Sequence, residues 1–134
     1  MNNRKWSFFL VLSTFLLVTL ACNFSASTAK IKEAKLARDK EGTQPTTTFA
    51  QDEIFYCNVE LANAPDDTKV KAVWTAVQVE GNEPNTLIDQ AELTSGDGTL
   101  HFNLTNNGKW PTGKYKVELY LNDKLDQTLE FTVE

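Results

Sequence analysis

The chain has 134 residues, a formal net charge of −5 and two cysteines, enough for one ordinary domain with a tether and too few for two. The charge is uneven: from Cys22 to Pro45 five basic residues face three acids, a net of +2, whereas from Thr46 onward six basic residues face fifteen acids, a net of −9. An acidic domain argues against nucleic acid as a partner, because neutralising phosphate supplies most non-specific affinity for it.

In chain order, Arg4 and Lys5 come first, an uncharged stretch runs from Trp6 to Ala21, and small Ala21 stands just before Cys22. That layout predicts a secretory signal peptide over residues 1–21. Its strongly apolar part, Phe8 to Ala21, is 14 residues long. A helix of that length falls well short of a hydrocarbon core roughly 30 Å thick, so the run is a signal segment and not a membrane span. The sequence "VTLAC", ending at Cys22, resembles the lipobox of bacterial lipoproteins, in which a small residue precedes a cysteine that is lipidated on sulfur and becomes the new N-terminus. Thr19 departs from the pattern, where that family prefers Leu. The resemblance implies a lipid anchor at Cys22, with the domain outside the cytoplasm at the cell membrane or the outer membrane. The alternative is an ordinary secreted protein cut near the same place.

Two cysteines in a secreted chain would by default form one disulfide, but a thioether at Cys22 leaves Cys57 without a partner. In "IFYCNVEL", Cys57 shares a period-two face with Phe55, Val59 and Leu61. It is expected on the buried side of a strand as a free, unreactive thiol.

Residues 22–30, with "NFSASTA" after the cysteine, are small and polar, as a flexible tether should be. The basic residues between Cys22 and Pro45 could lie against anionic lipid, yet the acids interleaved with them offset most of that attraction, which favours a solvated spacer. The next piece, "KIKEAKLARDKEG", holds good helix formers but is too short for a stable isolated helix. At period two it puts Ala34 and Leu36 on one side, the pattern of a half-exposed edge strand. Composition and period leave that choice open.

From Thr46 the pattern is that of strands: "TTTFAQDEIFYCNVEL", then a turn at "NAPDDT", then "KVKAVWTAVQVEG" with Val70, Ala72, Trp74 and Ala76 on one face. "TLIDQAEL" and "GTLHFNL" follow as two strands, and "TNNGKWPTG" is a loop. The last thirty residues alternate Tyr115, Val117, Leu119 and Leu121 against polar neighbours, turn at "NDK" and return with Leu129, Phe131 and Val133, a hairpin with one wet face. About seven short strands with regular turn clusters and no helical period predict an all-β antiparallel sandwich over residues 31–134, its core strands starting near residue 46. Trp74 and Tyr115 occupy the places where immunoglobulin-like domains carry a core Trp and a corner Tyr.

"LARDKEGTQPTTTFAQDEIFYCNVELANAP", "TKVKAVW" and "WPTGKYKVELYLNDKL" followed by "LEFTV" resemble the domain of a group of bacterial lipoproteins with an immunoglobulin-like or fibronectin-type sandwich. The resemblance covers most of residues 31 to 134. It implies no activity, but it does imply a strand from Ile31 to Arg38.

Catalytic and metal chemistry finds little to work with. A single histidine, His101, excludes a two-histidine metal site and leaves a nucleophile only one base; out of phase with Leu100, Phe102 and Leu104, it is expected on the surface. Asp66, Asp67 and Asp97 could offer oxygen ligands to calcium, but they lack the spacing of a calcium loop and read as turn residues. Trp110, an aromatic in a polar loop, is the one candidate for recognition. The competing reading has it capping the open end of the core with Pro111. The expectation is therefore a membrane-anchored lipoprotein carrying a non-catalytic binding or structural module, with no cofactor, no metal and an envelope protein as its candidate partner. An envelope scaffold that holds its partner by strand addition and a small hydrolase are the alternatives.

Overall fold

The computed structural model of the chain describes residues 28–134; the signal segment, Cys22 and most of the tether lie outside the described residues. Eight strands follow one another: β1 (Lys30–Ala37), β2 (Thr48–Phe49), β3 (Phe55–Ala62), β4 (Thr68–Val79), β5 (Thr86–Ser95), β6 (Gly98–Leu104), β7 (Gly113–Leu121) and β8 (Lys124–Val133). They form a three-stranded sheet ordered β1-β3-β6 and a five-stranded sheet ordered β2-β8-β7-β4-β5. The count exceeds the expected seven because "TTTFAQDEIFYCNVEL" breaks at a turn in which the Glu53 N–H donates to the Ala50 carbonyl. The two-residue β2 before that turn runs parallel to the end of β8 and carries Phe49 into the core.

The segment left between helix and strand is a strand. Ile31 is out of phase with Ala34 and Leu36 at period two, and a bulge between Ile31 and Glu33 absorbs the extra residue. Ile31 then pairs with Leu61 and Ala34 with Val59, so that both halves of β1 face inward. The same device serves β4, where a register shift between Ala76 and Gln78 lets Ala76 and Val79 both be buried.

Phe55 sits at the middle of the core. Fully buried, its ring centroid lies 4.5 to 6.3 Å from those of Phe49, Trp74, Trp110, Tyr115 and Phe131. Trp74 and Tyr115 are both buried as expected, and the Tyr115 hydroxyl donates to the Pro111 carbonyl four residues upstream. That bond is the corner geometry of an immunoglobulin-like sandwich. Burial pushes the Tyr115 phenol up from 10.0 to about 12. A folded-state value above the unfolded one means that this contribution to stability is complete below pH 10 and lost as pH rises through about 12. Denaturant unfolding followed from neutral to strongly alkaline pH should show that loss, and Tyr115→Phe should make it shallower.

The strand ends fall into two groups of loops. At one end the Thr28 hydroxyl donates to the Asn63 carbonyl, the Ala64 N–H to the Asp97 carboxylate, and the Lys69 N–H to the Asn122 side chain. Asn122 and Asp123, both at positive φ, make the two-residue turn between β7 and β8. The opposite end gathers residues 38–47, 50–54, 80–85 and 105–112.

Candidate functional site

Of the candidate site residues singled out from the sequence, Cys22 lies outside the described residues, and Cys57, His101 and Trp110 are not brought together into one site. Trp110 does not stand free in its loop. It is only 6% exposed, stacks on Phe55 at 4.5 Å and donates its indole N–H to the Glu53 carbonyl. Its backbone N–H and carbonyl are bonded to the carbonyl and side chain of Gln51. The recognition reading of Trp110 is corrected accordingly, because the ring's surface is spent on the core and the polar loop only brings it there. Loop composition hid this. The signal that could have found it is the Pro111 and Gly113 spacing around the tyrosine corner, which steers the chain inward just before β7.

Cys57 is a free thiol, fully buried, and desolvation pushes it up from 9.0 to about 12. The thiolate that would react is thereby suppressed. A thiol reagent should leave the native protein unlabelled and modify Cys57 rapidly in denaturant; fast labelling of the native state would place the side chain elsewhere.

His101 also departs from expectation. It is half-buried, and its Nδ1 lies 2.9 Å from Asn58 Oδ1. Asn58, 5% exposed, donates its amide to the Lys40 carbonyl at 2.9 Å. The cause is the segment after β1, which folds back over the outer face of the three-stranded sheet. Asp39 fixes that fold, its carboxylate accepting from the Thr43 and Gln44 N–H groups and the Thr43 hydroxyl, bonds that also hold it below the usual carboxylate range. Gly42 at φ +74° packs on the Asn58 side chain. His101 is therefore the outer member of a structural chain of hydrogen bonds.

At the other end of the sandwich, the Asp97 carboxylate is occupied by the Ala64 N–H. Among the described residues no group of three or more His, Cys, Asp or Glu is arranged to hold a metal ion. Nor is any helix there long and apolar enough to cross a membrane.

The least occupied surface lies at the sheet margins. Among the described residues, β5 pairs with β4 along one side and with no strand along the other, and most of its residues are exposed, Leu87 at 57%. β2 is two residues long, and the edge of β1 is closed at one end, where Thr46 N–H donates to the Leu36 carbonyl and Arg38 N–H to the Gln44 carbonyl.

No protein-family model matches the chain, and no curated protein matches it in sequence. Among solved structures it is similar to an immunoglobulin-like protein from Pseudomonas aeruginosa, with a TM-score of 0.54 at 14% identity over 82% of this chain and 99% of that one. It also resembles part of a β-glucosidase involved in saponin metabolism from intestinal bacteria, with a TM-score of 0.51 at 15% identity, and part of a β-glucosidase from Listeria innocua, at 0.50 and 17%. The chain spans only 16% and 17% of those two enzymes. These likenesses show the fold alone: the chain is an immunoglobulin-like sandwich.

Proposed function

We propose that this chain is a lipid-anchored envelope protein whose immunoglobulin-like domain is a non-catalytic module that holds a partner protein. The supporting observation is where the chain enters the sandwich. Thr28 is bonded at the end that carries the turns around Asn63, Asp97 and Asn122, and only residues 23–29 separate β1 from Cys22. Fully extended, those residues reach about 25 Å, so a lipid on Cys22 holds that end close to the membrane. β4, 12 residues long, carries the other end about 40 Å further out. The polar side chains best placed for chemistry, Asn58, His101 and Tyr115, are committed to structural hydrogen bonds, which favours binding over catalysis.

Cys22→Ser tests the anchor. It should abolish labelling by a fatty-acid analogue and release the protein from the membrane fraction or leave its precursor uncut. Unchanged labelling and partition would refute the anchored reading.

A further inference from the structure

We infer that the free edge of β5 is a docking site for an extended, lysine- or arginine-bearing segment of a partner protein, which adds as a sixth strand to the five-stranded sheet. The inference rests on the reading of the domain as a binding module and specifies the partner's chemistry. β5 is the longest unpaired edge among the described strands, ten residues against eight for β1, seven for β6 and two for β2. Its backbone shows which groups are on offer. The Gln90 N–H donates to the carboxylate of its own neighbour Asp89 at 2.8 Å. Gln90 therefore points its backbone outward, and antiparallel alternation turns Glu92 and Thr94 outward with it. An unpaired row of this kind is a template for another strand.

Charge selects the occupant. Between Thr86 and Ser95 there are two acids, Asp89 and Glu92, and no basic residue. Lys71 is opposite Glu92 in the ladder, yet its ammonium sits 4.8 Å over the Tyr120 ring, and Glu92 has no ion pair among the described residues. A second copy of the chain would bring another acidic edge from a domain whose residues 31–134 carry a net charge of −8, so like charge opposes self-pairing. A cationic strand meets the opposite situation. Its lysine or arginine attracts the Asp89 carboxylate, which leaves the Gln90 N–H for the incoming carbonyl. Asp89 thus acts as a guard, closing the edge to neutral and acidic strands and yielding to basic ones.

The test uses the full-length chain in detergent micelles and three short peptides: one alternating lysine and valine, one with glutamate replacing lysine, and one with the lysine sequence but N-methylated at alternate amides. The lysine peptide should bind and slow amide hydrogen exchange at Gln90, Glu92 and Thr94, whereas the other two should not. Asp89→Lys with Glu92→Lys, at two exposed positions, should weaken lysine-peptide binding by about tenfold or more with an unchanged thermal midpoint; Glu92→Lys alone serves if the double variant is unstable. Equal binding of the N-methylated peptide, protection elsewhere, or indifference to the charge reversal would overturn strand addition at β5. Concentration-dependent dimers of the chain alone that the charge reversal dissolves would overturn it in favour of a second copy. None of these readouts depends on Cys22, so loss of the anchored reading leaves this result unaffected.

Discussion

Phe55→Ala is expected to leave the domain without a cooperative unfolding transition near room temperature. Phe55, on the three-stranded sheet, is the ring on which five other aromatics converge, four from the facing five-stranded sheet and one from the loop before β7. Truncating a buried Phe to Ala costs about 3 to 5 kcal/mol through lost transfer energy and the cavity left behind, against a total stability of about 5 to 15 kcal/mol for a domain. Trp74→Ala, at 2% exposure, belongs to the same class. Trp110→Ala does too, although the sequence alone ranks it as a much milder change. It removes the stacked partner of Phe55 and leaves the Glu53 carbonyl without its indole donor, so its cost should approach that of Trp74→Ala. Denaturant curves of the three variants check this, and a Trp110→Ala protein as stable as the parent would return that side chain to the surface.

Gly113→Ala should be the most damaging small substitution. Gly113 opens β7 at φ +146°, a conformation that side-chain-bearing residues rarely adopt. A Cβ there would overlap the Gln78 carbonyl oxygen and stand 2.8 Å from the Val79 Cα. Both are backbone atoms of the paired strand, in the stretch where Gly113 pairs with Val79, so neither can move without opening the ladder. Backbone strain of this kind costs about 1 to 3 kcal/mol, and the overlap adds to it. The expected result is a lower denaturant midpoint with an unchanged slope, against almost no effect for Gly108→Ala, where a Cβ meets open space.

The strands with one wet face were legible because alternation is a local property: Tyr115 to Leu121 and Leu129 to Val133 lie as the period-two pattern places them. Cys57 and Trp74 were legible for the same reason. What alternation cannot show is a bulge, which changes the phase within a strand; β1 looked ambiguous because its two inward halves are out of phase by one residue. Nor can it show a loop folding onto a sheet. His101 and Asn58 both sit at outward-facing positions, and the Lys40–Gly42 segment covers Asn58 from outside, to which His101 is in turn hydrogen-bonded. Trp110 misled in the opposite sense, since eight of its nearest sequence neighbours are polar or turn-forming while its spatial neighbours are aromatic. Its burial is decided by residues more than fifty positions away, Glu53 and Gln51.

The parallel pairing of β2 with β8 sets the order in which the sandwich can close. β8 is the last of the described strands in chain order, yet it lies inside the five-stranded sheet, between β2 and β7, and its final residues, Thr132 and Val133, are the ones that hold Thr48 and Phe49. Without β8, β7 would keep only β4 as a partner, β2 would lose its pairing, and Phe131 would be missing from the aromatic cluster. Contacts spanning so much of the sequence also form slowly. The sandwich therefore stays open until β8 docks, because the first strand of the five-stranded sheet has to wait for the eighth to hold it.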